Sequence, residues 1–529
     1  MRNSRTKQKF SPVQIILDAP QNGGEPILSA TQSSVSDAIR PAEQRQIMDI
    51  STNTDLDRDA TPRYRQLADH ILAGIDDGTY APGDKLPSVR RLQRRLNLSA
   101  ATVTSAYLTL EREGVVEARP RSGYFVARLE AKSKPPRRET LPTTPSRIAI
   151  SPMARTVEAS ALDNRLAPLG AAVLDSSFLP IEQMAKNTRL LARTEMADAL
   201  SYGPPNGARR LRRELARSQW GFPDPPGMEE IILTNGCMEA VSLCLRATTR
   251  PGDAVAVESP VFFGFLQMIE NLGLYAMEVP TDPVTGMDPD GLARVLQDDR
   301  VRAVLTIPSF QNPTGALMPI ENRQRICQMV TKRRIPLIED NIYGDLHYGE
   351  TRLPPIKHWD RDGWVLYCSS FSKTVGPGLR VGVTIPGPRF AERVTALKMG
   401  STLTSAQFTQ LALANFLEDG GYQRHLRKLR VALQENMRQL RQSIARHFPQ
   451  GVRMTDPKGG FILWVELPAG GDGVSLYEAA VGEGIAIVPG SVCSPSGSWR
   501  RCIRVSAGSP WSERLENAVA RLGELARGG

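Results

Sequence analysis

Five stretches of this 529-residue chain gather the residue types that do chemistry, and each follows a short apolar run. Ile231-Ile232-Leu233 leads into Thr234-Asn235-Gly236-Cys237, and Ala254 to Val257 into Glu258-Ser259-Pro260-Val261-Phe262-Phe263-Gly264. Val301 to Ile307 leads into Pro308-Ser309-Phe310-Gln311-Asn312-Pro313-Thr314-Gly315. Ile338 is followed by Glu339-Asp340-Asn341-Ile342-Tyr343-Gly344-Asp345, and Tyr367 by Ser369-Ser370-Phe371-Ser372-Lys373. Gathered in one pocket, these residues offer an aromatic face, an amide, a carboxylate, a phenol, hydroxyls and a lysine amine. The helix opening at Gly236-Cys237 adds free backbone N–H groups, which suit a phosphate. None of the five histidines falls into a metal-ligand spacing, so no metal site is expected.

The apolar runs read as buried strands, and the segments between several of them, such as Met238 to Thr248 and Ile320 to Lys332, read as helices. This alternation predicts an α/β unit with a mostly parallel sheet covered on both faces. Ligands of such sheets collect beyond the carboxyl ends of the strands, which is where the five polar stretches fall.

Upstream lies a smaller unit, residues 61–128. Tyr64, Leu67, Ile71, Leu72 and Ile75 are spaced as one helical face, ended by Gly78 and Pro82-Gly83. Ser88 is placed to cap a helix over 89–96, and Ser99 a third helix with Val103, Ala106, Tyr107 and Leu110 inward. Gly114 is the expected left-handed stop. Val115 to Ala118 and Tyr124 to Val126 then flank a basic hairpin tip, Arg119 to Gly123. Two short helices joined by a tight turn and followed by a basic hairpin are the parts of a winged helix-turn-helix, whose second helix enters the major groove. Arg90, Ser99, Thr102, Thr104, Arg121, Ser122 and Gly123 are its candidate DNA contacts, with Arg94 and Arg95 facing phosphates.

Charge agrees with that reading. The net charge is +10, yet residues 85–147 hold 14 Lys/Arg against 5 Asp/Glu, a net of +9, and residues 148–529 hold 43 against 39. So compact a positive block points to a polyanion and is expected on the reading helix, the wing and the following linker. Residues 1–60 contain one aromatic and no sustained apolar period, which predicts a disordered tail. Residues 129–150, rich in proline and charge, read as an extended tether, leaving 151–529 as the large unit. The six scattered cysteines, without a C-x-x-C pair, fit a reducing cytoplasm. No apolar run approaches the roughly 18 residues of a membrane span.

Two family resemblances sharpen these expectations. Lys85-Leu86-Pro87-Ser88-Val89-Arg90, Ala101 to Tyr107 with Leu110-Glu111 and Gly114, and Arg121 to Val126 closely resemble the GntR-type winged-helix signature. Ser105 stands where an arginine is frequent, and Arg91-Leu92-Gln93 replaces the commoner Glu-Leu-Ala, so base contacts do not carry over. Ser370-Phe371-Ser372-Lys373-Thr374-Val375-Gly376-Pro377-Gly378-Leu379-Arg380 with Gln311-Asn312-Pro313-Thr314-Gly315 resembles the fold type I, aspartate-aminotransferase-like family, across roughly 170–525. Singly, each residue has an ordinary explanation, such as a surface lysine or a core phenylalanine. Together they appear once each, in the family's order.

That second resemblance implies pyridoxal 5'-phosphate as cofactor, with Lys373 as the Schiff-base lysine forming the internal aldimine. It implies Asp340 on the ring nitrogen, Asn312 and Tyr343 on the phenolic oxygen, and Phe262 on the ring face. Ser370, Arg380 and the backbone of Gly236 and Cys237 would clamp the phosphate. Tyr202 matches a tyrosine lent to the partner subunit, which implies a homodimer, and Arg504 matches the arginine that receives an α-carboxylate. The two parts together resemble the MocR family of transcriptional regulators. The expectation is a DNA-binding regulator sensing the cofactor or an amino acid or amine effector. A working aminotransferase carrying a DNA-binding domain is the alternative.

Overall fold

The computed structural model describes residues 62–76, 79–80, 83–112, 114–119, 122–126, 134–142, 144–147, 152–161, 163–218 and 221–528. The tail expected over 1–60, the wing-tip Arg121 and part of the linker lie outside them. The described residues divide into two compact units, those up to 111 with 116–126, and the remainder.

In the small unit, α1 (Arg63–Asp76) buries Leu67, Ala68 and Ile71. The helix α2 (Val89–Leu96) starts at Ser88, whose hydroxyl accepts the Arg91 N–H at 3.3 Å, and stops at Asn97, held at φ 49°. Ser99 does the same for α3 (Ala100–Arg112), accepting the Thr102 N–H at 3.1 Å. Such caps satisfy N–H groups that a helix start otherwise leaves open. The stripe Val103, Ala106, Tyr107 and Leu110 is fully buried, as its spacing predicts. Gly114 adopts φ +71°, the left-handed stop. The wing strands β1 (Val116–Arg119) and β2 (Gly123–Val126) pair antiparallel from Val116 opposite Val126 to Arg119 opposite Gly123. Each strand therefore runs one residue further into the tip than the sequence indicates. Tyr124 stacks on Tyr107 with centroids 4.3 Å apart, fixing the wing to α3.

The large unit is built on a nine-stranded sheet. Its strands are β3 (Ser146–Arg147), β4 (Ile232–Thr234), β5 (Ala254–Ser259), β6 (Tyr275–Asp282), β7 (Gly286–Met287), β8 (Val301–Thr306), β9 (Leu337–Asp340), β10 (Val365–Ser370) and β11 (Gly382–Ile385). The order is β3-β6-β5-β8-β9-β10-β11-β4, with β7 paired to β6. Pairings from β6 through β10 are parallel, and β11 and β4 close one edge antiparallel. Every residue of β5, β9, β10 and β11 is buried, so these strands read as continuous apolar runs rather than alternating ones. A second, antiparallel sheet joins β12 (Arg453–Met454), β13 (Ile462–Glu466), β14 (Val488–Pro489) and β15 (Cys502–Ser506) in the order β12-β13-β15-β14.

The described part of the linker does not stand off as a free tether. The Lys134 carbonyl accepts the Met454 N–H at 3.2 Å, and the Arg137 N–H donates to Glu466 Oε2 at 2.8 Å. Arg138 pairs with Asp282 at 2.8 Å, and Glu139 Oε2 accepts the Trp499 N–H at 2.8 Å. Ser146 and Arg147 then add β3 to the edge of β6. An extended strand with unpaired N–H and C=O groups finds partners wherever a sheet edge offers them. Among the described residues no helix is long and apolar enough to cross a membrane.

Candidate functional site

Parallel strands end with their polar residues side by side, and the site is assembled at those ends. Asp340 closes β9 and is buried; its Oδ1 accepts the Ile342 N–H at 3.0 Å and the Cys237 thiol at 3.1 Å. Burial pushes its carboxyl up to about 6, against the pull of those two donors and of the Lys373 charge. Lys373 ends the turn after β10, and its Nζ donates to the Ala172 carbonyl at 2.6 Å. Burial, then the nearby Arg504 cation, lowers its amine from 10.5 to about 8, with Asp340 opposing. Arg504, in β15, donates from Nη1 to Asn312 Oδ1 at 2.9 Å and from Nη2 to the Gly170 carbonyl at 2.6 Å. Its Nε is buried and has no partner among the described residues. Asn312 Nδ2 faces the Tyr343 hydroxyl at 3.5 Å, and burial raises that phenol above its ordinary range. The structure thus brings Lys373, Asp340, Cys237, Asn312, Tyr343 and Arg504 together.

The other end of the pocket suits an anion. Ser370 pairs with Gly382 and Gly382 with Thr234, which sets the ends of β10, β11 and β4 side by side. Gly236 takes φ +85°, and a Cβ there would stand 2.6 Å from the Arg380 guanidinium. A Cβ on Gly382 would collide with the Gly236 backbone, so both glycines are required by close approach. The helix Cys237–Thr248 starts at Gly236 with no side-chain cap, leaving its first N–H groups open. Arg380 is exposed, anchored by Nη2 on the Asn235 carbonyl at 2.8 Å. The Ser370 hydroxyl accepts the Ser372 N–H at 2.9 Å and donates to the Ser372 hydroxyl at 2.8 Å.

Phe262 is half-buried against Phe263 and Phe265, with Gly264 leaving room for its ring. Tyr202 is not gathered with the rest: it is 85% exposed.

Two contributors had no role assigned from sequence. The carbonyls of Gly170 and Ala172, from one apolar segment, sit on both cations; they act through backbone and leave no side-chain signal. Glu258 accepts from Thr306 Oγ1 at 2.9 Å and the Ile307 N–H at 3.0 Å, framing the loop that carries Asn312. Burial raises its carboxyl to about 8. A glutamate closing an otherwise apolar strand was the available clue.

In the small unit, Ser88, Arg90, Arg91, Arg94 and Arg95 line a cleft of about 580 Å³. Of the fourteen Lys/Arg of the basic block, four lie on α2, eight on the wing and linker, and only Arg112 on α3, so the expectation that the reading helix is itself basic is corrected. The Ser99 and Thr102 hydroxyls bond each other at 2.8 Å across the first turn of α3. Thr104 is half-buried, and Ser122 and Gly123 are exposed on the wing.

Comparisons with known proteins divide along the same boundary. Residues 63–126 match the family described as bacterial regulatory proteins, gntR family, and residues 170–522 match aminotransferase class I and II. YjiR of Escherichia coli, an uncharacterized HTH-type transcriptional regulator, is 36% identical over 474 residues, covering 87% of this chain and 98% of YjiR. A 2-aminoadipate transaminase of Thermus thermophilus is 33% identical over 354 residues, 66% of this chain and 87% of that protein. Among solved structures, LysN of Thermus thermophilus, an alpha-aminoadipate aminotransferase complexed with N-(5'-phosphopyridoxyl)-L-leucine, superposes with a TM-score of 0.66 at 31% identity, covering 72% of this chain and 96% of LysN.

Proposed function

The chain belongs to the aminotransferase class I and II family and carries a gntR-family winged helix-turn-helix ahead of it, the architecture of MocR-type transcriptional regulators, and we propose that it reads an operator according to whether an amino acid or amine occupies its pyridoxal 5'-phosphate site. The family depends on that cofactor, and the donor set fits it. An uncapped helix start, a guanidinium and a hydroxyl suit a phosphate, and a carboxylate that burial holds at about 6 despite the Lys373 charge suits a protonated ring nitrogen. When bound, the cofactor supplies an electrophilic carbon for amines and an electron-withdrawing ring.

The residues around it have distinct tasks. Lys373 would be the attachment point, and burial lowers its amine to about 8, which favours the free-base form. Asp340 would serve the ring nitrogen and favour its protonated form. Asn312 and Tyr343 would serve the ring oxygen, and Phe262 would cover one ring face. Ser370, Arg380 and the Gly236 and Cys237 N–H groups would hold the phosphate.

The observation that carries the sensing reading is Arg504. Its buried Nε is unfilled and its Nη2 rests on the Gly170 carbonyl, so an effector carboxylate can take the guanidinium by displacing one backbone oxygen. The same segment holds Lys373 through Ala172. Effector arrival at either cation therefore competes with the segment 170–172, which gives the two pocket states different contacts, as linkage requires. Tyr202, with Leu200 78% exposed beside it and Ile181 and Leu190 also in solvent, supports a homodimer in which Tyr202 serves the partner's phosphate. The gntR-family match supports a cytoplasmic location, where the operator is.

A second reading, a working transaminase, is favoured by the complete residue set and the 33% identity to the 2-aminoadipate transaminase. Incubating the protein with an amino donor and a keto acid separates the two. Regulation predicts at most about one equivalent of product per site, and sustained turnover would make the chain an enzyme.

A further inference from the structure

Asp340 has two carboxylate oxygens, and among the described residues both of its hydrogen bonds fall on one of them. Oδ1 accepts the Ile342 N–H at 3.0 Å from its own loop and the Cys237 thiol at 3.1 Å from the start of the helix Cys237–Thr248. A carboxylate is planar, so two donors on Oδ1 fix the direction in which Oδ2 points. Cys237 therefore touches both ends of the cofactor seat, its backbone at the phosphate cradle and its thiol at the carboxylate. It is buried, and burial together with the Asp340 charge pushes the thiol well above its ordinary value. It keeps its proton through the neutral range and acts as a donor.

We propose that Cys237 is a positioning residue for Asp340: its thiol proton holds Oδ1, turning Oδ2 onto the cofactor's ring nitrogen and keeping the carboxyl ionised so that the nitrogen retains the proton. This rests on the reading of the pocket as a pyridoxal 5'-phosphate site. A structural filler at 237 would need only the volume of the side chain; a positioning donor needs its hydrogen. Serine, which keeps a donor at the same atom position, is therefore the informative replacement, and alanine the deletion.

The test uses the full-length holoprotein loaded with cofactor ¹⁵N-labelled at the ring nitrogen, as wild type, Cys237→Ala and Cys237→Ser. Two quantities are read, the ring-nitrogen chemical shift and the cofactor Kd. Expected are a protonated-nitrogen shift in wild type, movement toward the unprotonated position in Cys237→Ala with Kd raised about tenfold, and near-wild-type values for both in Cys237→Ser. A Cys237→Ala protein with the wild-type nitrogen shift and Kd would overturn the proposal, as would a Cys237→Ser protein as impaired as Cys237→Ala. If wild type itself captures no cofactor, the reading of the pocket falls with it; if wild type binds normally and only the variants disagree, that reading stands.

Discussion

Lys373 and Asp340 are displaced from their ordinary titration ranges in opposite directions, and each displacement has a consequence that can be measured. The Lys373 amine falls from 10.5 to about 8, so between those values the unfolded chain binds more protons than the folded one. Its burial therefore costs stability at neutral pH, a cost that fades as pH rises through that window. Only the unprotonated amine is a nucleophile, so capture of pyridoxal 5'-phosphate by the apo-protein should accelerate with pH around a midpoint near 8. Stopped-flow absorbance across that midpoint checks this, and a flat profile would contradict it. Asp340 rises from 3.8 to about 6, so the folded apo chain binds the extra proton there and loses stability as pH climbs through that interval. In Asp340→Asn the apo-protein should melt no lower than wild type at neutral pH, because a buried charge is gone. Its cofactor Kd should nevertheless rise at least about tenfold. Thermal scans with and without cofactor report both numbers.

Elements differ in how openly they advertise themselves. β5, β8, β9 and β10 were legible because strands covered on both faces are apolar throughout, and the polar residue that ends each run marks the site. β6 was not, since Glu278 and Pro280 interrupt its apolar pattern, although Glu278 is buried on hydrogen bonds from Ser259 and Ser494. The second sheet was visible only through Arg504, because β12 and β14 are two residues long. The segment 170–172 was invisible, as backbone carbonyls have no residue type. Helix α3 was legible through its cap, and that assignment can be tested. Ser99→Ala should cost about 1 kcal/mol, speeding amide exchange in the first turns of α3 about fivefold. Unchanged exchange would show that the Ser99 hydroxyl does not hold the helix start. The linker was legible as extended but not as docked, because the Glu139 contact joins residues far apart in sequence. Glu139→Ala should release it, raising the rate of proteolytic cleavage within residues 134–142; an unaltered digestion pattern would mean the remaining backbone pairings suffice.

At the scale of the whole molecule, a balanced cofactor-binding body is joined to a basic reading unit, and the two should be separable by salt. The arginines of α2 are the cationic face of that unit. Each phosphate left without its protein cation flattens the dependence of log K on log salt by about 0.9. Arg90→Ala with Arg94→Ala should therefore weaken operator and random DNA alike, with a shallower salt slope. Selective loss of operator binding alone would instead place these arginines on bases. The central claim is that occupancy of the Lys373 pocket is read out at the operator. Its most direct measurement is the operator Kd of the full-length holoprotein, by gel shift, with and without an amino acid effector, in wild type and Lys373→Ala. A shift of at least about fivefold is expected in wild type and none in Lys373→Ala; an equal shift in Lys373→Ala would contradict readout through the pocket.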